Sequence, residues 1–146
     1  MNLPPVYFST QVAIRFAHCD PAGIVFFPQY LVLFNGLVED WFNDGLCYGY
    51  GRMLQAEQTG LPIVHLECDF RAIARMGDVL QLRLSVAHIG SRSLRLRVEA
   101  LGSDGQLKVS ALKVLVFTSL DTHQAMAVPP AIGAAIKGWM ATVAVD

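Results

Sequence analysis

The 146-residue sequence is poor in cysteine and in charge, and it has no long apolar run. Its three cysteines, Cys19, Cys47 and Cys68, show no paired spacing and leave one over, which argues against a disulfide framework and fits reduced thiols. No CxxC or HExxH motif occurs, so a metal site is not expected, and neither internal repeats nor low-complexity segments are present. With a net charge of -1 and no cluster of Lys and Arg, the chain lacks the electrostatic footprint of a DNA- or RNA-binding protein. No stretch reaches membrane-spanning length, and Met1-Asn-Leu-Pro-Pro5 lacks the basic and apolar regions of a signal peptide. The expectation is a soluble, cytoplasmic protein with neither nucleic acid nor membrane as partner.

Apolar surface is what the chain has in excess. Hydrophobic residues make up 53% of the sequence, more than one small domain can cover, which favours an oligomer. The length suits a single domain, 1–146, with a real core.

Val6 to Ala17 reads as a strand that runs into the turn residues Asp20-Pro21-Ala22-Gly23. From Pro28 to Asp44 apolar residues recur at three and four, with Pro28 suited to a first turn and Gly45 to a stop, which predicts one long helix. Its polar positions Asn35, Glu39, Asp40, Asn43 and Asp44 fill a narrow sector, so most of the helix should be buried, with a sheet wrapped around it. A shorter helix is expected over Arg52 to Gln58. Four extended runs follow: Ile63 to Arg75, Val79 to Ile89, Leu94 to Leu101 and Gln106 to Leu120. The second and third alternate apolar and polar residues as half-buried strands do, and Leu112 to Phe117 is apolar on both faces apart from Lys113, as in an interior strand. A last helix, Pro130 to Thr142, should pack outside. The sum is an α+β layer architecture.

The candidate chemistry lies in His18-Cys-Asp-Pro-Ala-Gly-Ile-Val-Phe-Phe-Pro-Gln-Tyr30. It puts the Asp20 carboxylate after a strand and directly before an apolar helix, whose first free N–H groups can polarise a carbonyl oxygen. An Asp-Pro pair also simply initiates turns. His18 and Cys19, as neighbours on an extended strand, point to opposite faces and do not form a dyad. Glu39 or Asp40 as a second catalytic carboxylate is the weaker idea.

The segment Asp20 to Tyr30, with Leu61-Pro-Ile-Val-His-Leu-Glu-Cys-Asp-Phe-Arg-Ala-Ile-Ala-Arg-Met-Gly-Asp78, resembles the hotdog-fold acyl-CoA thioesterases, specifically the 4-hydroxybenzoyl-CoA thioesterase family. The resemblance runs from about Val6 to Leu120. It implies a curved antiparallel five-stranded sheet around one long central helix, edge-to-edge dimers, and a homotetramer built from them. It maps the catalytic aspartate onto Asp20 and the carbonyl-polarising amide onto the Phe27 backbone N–H. The acyl pocket, drawn from two chains, would include Tyr30, Asn35, Gly60, Leu61, Pro62 and His65. Ser91, Arg92 and Ser93 would meet the nucleotide part of CoA. The implied reaction is hydrolysis of an acyl-CoA, aryl or short aliphatic, without a cofactor, Asp20 acting as nucleophile or general base. A non-catalytic acyl-CoA-binding protein on the same fold is the alternative; a hotdog hydratase would need an aspartate-histidine pair on the helix, and none occurs within Pro28 to Asp44.

Several residues carry a second reading. Tyr30 serves core packing as readily as substrate contact; Gly60 serves a turn as readily as close approach of a thioester; His65 would by default be a hydrogen-bonded core histidine. The Gly90-Ser91-Arg92-Ser93 turn could equally be a solvated hairpin, and Arg71 and Arg75 are other candidate phosphate contacts.

Overall fold

In the computed structural model, which describes residues 6–140, five antiparallel strands form one sheet in the order β1-β4-β5-β6-β3. These are β1 (Phe8–Ala13), β3 (Ile63–Phe70), β4 (Val79–Ile89), β5 (Ser93–Leu101) and β6 (Leu107–Val116). A two-stranded ribbon, β2 (Thr59–Gly60) with β7 (Thr118–Ser119), lies apart from it. The long helix α1 (Phe27–Asp40) lies on the sheet, followed by a short α2 (Tyr50–Gln55) and a C-terminal α3 (Pro130–Lys137). This is the hotdog arrangement expected from the sequence.

Alternation decides which way each strand faces. Leu80, Leu82 and Leu84 of β4, Leu94, Leu96 and Val98 of β5, and Val109, Ala111 and Leu115 of β6 are all buried toward the helix. The helix returns Tyr30, Phe34, Leu37 and Val38 to the same core. Each such large side chain contributes about 1.5–3 kcal/mol when removed from water. Register shifts between Ile63 and His65, Val86 and His88, and Ala100 and Leu101 add local twist and help bend the sheet around α1.

Several expectations are corrected. The first strand ends at Ala13 rather than Ala17, because Phe16–His18 form a 3-10 turn in which the Arg15 N–H donates to His18 Nδ1 at 2.9 Å. The α-helix ends at Asp40 and continues as a π turn over Trp41–Gly45, with the Leu46 N–H donating to the Trp41 carbonyl at 2.7 Å. The wider turn lets Trp41 and Phe42, adjacent in sequence, both be fully buried. Gly45, the last residue of that turn, is glycine for a steric reason: a Cβ there would lie 2.6 Å from Trp41 Cδ1.

The short helix sits earlier than predicted, at Tyr50–Gln55, since Gln58 takes a positive φ of 49°. The run from Ile63 stops at Phe70, where the chain leaves the ladder with the Arg71 N–H on the Lys108 carbonyl. The last helix ends at Lys137, and the Ala141 and Thr142 of the expectation lie outside the described residues. It does not stand outside. Ile132 and Ile136 are fully buried in the common core, because the far face of β4 and β5 is polar and offers them no apolar contact.

Candidate active site

The loop carrying Asp20 folds back as a narrow hairpin rather than ending a strand. The Asp20 N–H donates to the Ile24 carbonyl, the Gly23 N–H to the Asp20 carbonyl and the Phe26 N–H to the His18 carbonyl, each at 2.9 Å. Gly23 turns the chain at φ +77°, a conformation that side chains with a Cβ rarely adopt. Asp20 Oδ1 accepts the Ala22 N–H at 2.8 Å, the Asx turn that an Asp-Pro start suggests, and Oδ2 has no partner among the described residues. The hairpin is tied down by the Val25 N–H to the Ala74 carbonyl (3.0 Å) and the Met76 N–H to the Gly23 carbonyl (3.2 Å).

The hairpin delivers the chain directly into α1. Its first turn has no side-chain cap, Pro28 has no N–H, and the Gln29 N–H is committed to the Phe26 carbonyl at 2.9 Å. The Phe27 N–H has no acceptor among the described residues. An unused amide at the positive end of a helix is the donor that a developing oxyanion needs.

His18 and Cys19 are held by backbone instead of by each other, but not by strand alternation. His18 Nδ1 accepts from the Arg15 N–H, and Cys19 Sγ donates to the Arg15 carbonyl at 3.4 Å. Tyr30 is 3% exposed, with its ring beside Phe34 and Phe70 at 6.4 and 6.1 Å. Its hydroxyl is buried without a partner among the described residues. Burial first, then the charge of Asp78 and of Cys19, pushes its pKa up to about 12, so it stays a neutral donor.

Further along α1, Asn35 forms the wall of two adjoining spaces. One, of about 180 Å³, is lined by Leu31, Val32, Phe34, Asn35, Ile63, Leu66 and Lys113. The other, of about 520 Å³, brings Asn35 together with Leu61 and Pro62, beside Glu39 and Tyr50. Asp20 and Phe27 line neither, so a single chain assembles the candidate site as two separate halves. Lys113 went unassigned in the sequence. The signal was a cation alternating with Ala111 and Leu115 on the inward face of an interior strand.

Gly60 is buried in β2, and a Cβ there would lie 2.6 Å from Leu120 Cδ2, so close packing by Leu120 accounts for the glycine. His65 is not a core histidine. Its side chain is 59% exposed, with Nε2 3.8 Å from Glu67 Oε1, because β3 is an edge strand whose faces one chain leaves open. The 90–93 turn closes with the Gly90 N–H on the Ser93 carbonyl at 2.8 Å, leaving Ser91 and Arg92 exposed. Beside it runs a groove of about 510 Å³ that joins Gly90 and Ser91 to Lys137 of α3, a cation the sequence did not connect with this turn. Arg71 and Arg75 are exposed; the Arg75 N–H donates to Asp78 Oδ2 at 2.9 Å.

Comparison with known proteins agrees with this fold. The sequence model of the thioesterase-like superfamily matches residues 14–136. A 4-hydroxybenzoyl-CoA thioesterase of Pseudomonas sp. (strain CBS-3) is 29% identical over 123 residues, covering 81% of this chain and 87% of the relative. The crystal structure of a 1,4-dihydroxy-2-naphthoyl-CoA thioesterase from Synechocystis superposes with a TM-score of 0.82 at 24% identity, over 90% of this chain and 96% of that one. A Staphylococcus aureus protein solved in complex with CoA gives a TM-score of 0.85 at 15% identity, over 100% of this chain and 94% of that one.

Proposed function

This chain belongs to the thioesterase-like superfamily, and from that premise we propose that it hydrolyses acyl-CoA thioesters, aryl acyl groups such as benzoyl or hydroxybenzoyl in preference to short aliphatic ones. The observation that carries the reading is the hairpin from Asp20 to Phe26: it fixes one oxygen of a half-buried carboxylate and runs straight into a helix whose first amide is unused. A carboxylate and an oxyanion donor are the minimum equipment for cleaving a thioester, whose thiolate leaves readily.

Asp20 Oδ2 either attacks the carbonyl carbon, expelling CoA thiolate and leaving an anhydride that water hydrolyses, or removes a proton from the water that attacks. In both routes charge accumulates on the thioester oxygen. The Phe27 N–H meets it there, aligned in advance, and stabilises it more in the transition state than in the ground state. Phe26 and Phe27, 49% and 57% exposed at the helix start, offer an aromatic surface suited to an aryl group.

A second copy would join the two halves of the site. The free edge of β3 exposes Ile63, Val64, Leu66 and Phe70, and Val32 on α1 is 62% exposed beside them. Unpaired backbone and apolar side chains together invite strand pairing with an identical edge. Such dimers would associate into a homotetramer. In this reading Arg92 and Lys137 would meet the CoA phosphates, with Ser91 and Ser93 as hydroxyl donors. Among the described residues no helix is long and apolar enough to cross a membrane, and a cytoplasmic location is part of the reading.

The test is thiol release from benzoyl-, hydroxybenzoyl-, phenylacetyl- and short aliphatic CoA thioesters by wild type and folded Asp20→Ala. Aryl-preferring hydrolysis that falls about 100- to 10,000-fold in the variant is expected. Undiminished turnover by Asp20→Ala would remove the aspartate from the mechanism, and CoA binding without any cleavage would leave a binding protein. Single-turnover hydrolysis in oxygen-18 water separates the routes, since only the anhydride route puts label into the Asp20 side chain.

A further inference from the structure

Lys113 is an anomaly in the core. It alternates with Ala111 and Leu115 on the face of β6 that meets the helix, opposite Leu66 of β3 and Leu96 of β5, and it is only 3% exposed. Among the described residues its side chain makes one hydrogen bond, to Asn35 Oδ1 at 3.3 Å. The three ion pairs among the described residues, Arg52 with Glu57, His65 with Glu67 and Arg83 with Glu99, do not include it. A buried charge without a counter-charge is costly, and deleting it for a neutral side chain is ordinarily the simpler solution.

The surroundings say what would compensate it. An ammonium only donates, so Asn35 must turn its carbonyl oxygen toward Lys113 and present its NH₂ elsewhere. Lys113 keeps two further donors and Asn35, itself exposed at the cavity mouth, two, and none of them meets a protein acceptor among the described residues. Both residues line the cavity of about 180 Å³ whose remaining walls are apolar. An apolar cavity of about 150 Å³ takes up a benzene ring, so one ring or a short chain fits here. A wall that offers only donors suits a group that only accepts, which is a carboxylate. A hydroxyl can also accept from these donors, but it brings no charge to set against the ammonium and must share Asn35 Oδ1 with Lys113 to place its own proton.

We propose that Lys113 and Asn35 form a recognition site for an anionic group at the far end of the acyl moiety, so that the substrate class is acyl-CoA whose acyl group carries a second carboxylate. The assignment of a substrate class rests on the acyl-CoA thioesterase reading; the anion site itself does not. Burial lowers the Lys113 pKa to about 8, which still leaves the ammonium form dominant at neutral pH. An entering carboxylate would supply the missing counter-charge inside an apolar wall, where a charge-assisted hydrogen bond is worth most.

The experiment compares kcat/KM for matched thioesters: 4-carboxybenzoyl-CoA against 4-methylbenzoyl- and 4-hydroxybenzoyl-CoA, and suberoyl-CoA against octanoyl-CoA. Wild type is expected to prefer the carboxylate member of at least one set by about tenfold or more. In Lys113→Met that ratio should fall to near one. Asn35→Asp, which gives the ammonium an internal partner and a free acceptor, should reverse the preference from 4-carboxybenzoyl toward 4-hydroxybenzoyl. No carboxylate preference in wild type, or the same preference in Lys113→Met, overturns the proposal. Calorimetric titration with 4-carbamoylbenzoate and 4-methylbenzamide needs no turnover and separates this inference from the thioesterase reading. Tighter binding of the carboxylate, lost in Lys113→Met, upholds the anion site even if no thioester is cleaved; equal binding of both probes rejects it.

Discussion

β5 and β3 are written in similar residues and end in opposite circumstances. Leu94, Leu96, Val98 and Ala100 of β5 are each 0% exposed, whereas Ile63, Val64, Leu66 and Phe70 of β3 are 36–60% exposed. β5 has neighbours on both sides and α1 above it; β3 has β6 on one side only, and α1 leaves its inner face partly open. The comparison separates apolar residues that hold the chain together from apolar residues kept for something outside it. Of the second group, Ile63 borders both candidate acyl spaces and Leu66 one of them.

Mutations on the two strands should therefore register in different assays. Leu96→Ala empties a fully buried position on β5 and is expected to cost about 2–5 kcal/mol in urea unfolding, with a lower midpoint at unchanged slope. A loss below about 1 kcal/mol would mean that the centre of the sheet is not the core it is described as.

The next effect sits between the strands, at Lys113 on β6. Its ordinary pKa of 10.5 falls to about 8 through burial. The unfolded chain thus keeps this proton to higher pH than the folded protein does, and stability rises as pH climbs from about 8 to about 10.5. Measured as wild type minus Lys113→Met by denaturant unfolding across that window, the gain should be about 3 kcal/mol. A flat difference would show that the ammonium is already paired in the assembled protein.

Edge substitutions should leave folding nearly intact and change assembly. Val64→Lys, at a position 60% exposed on β3, is expected to alter unfolding free energy by under about 1 kcal/mol while shifting sedimentation toward monomer. An unchanged oligomer would relieve β3 of its role as an interface. The smallest effect is expected off the sheet, at the 90–93 turn: Arg92→Ala should raise KM for CoA thioesters about two- to tenfold with little change in kcat, read from initial rates in low salt.

Most of the fold was legible because the chain's periodicities are clean. Val79–Ile89 was read from alternation to the residue, and the β5 run within one residue of its start. Asp20 was picked out as a candidate from the unusual order of turn, proline and apolar helix, and Phe27 from the family resemblance. Elsewhere local reading failed for physical reasons. His65 looked like a core residue because its neighbours are apolar, yet the neighbours themselves are exposed on an edge. Gly60 offered both a turn and a substrate role, and only the position of Leu120, distant in sequence, shows what occupies the space above it.

By itself, then, the sequence determined what depends on neighbours along the chain: the helix and strand periods, the Asx turn at Asp20, the uncapped start of α1, the shortage of charge. Tertiary structure alone decided what depends on contacts between distant segments. Which strand became the edge, which apolar residues remained open, and that Lys113 of one strand and Asn35 of the helix meet in a cavity follow from sheet order, and pairing energies between strands are not written in the local pattern of either.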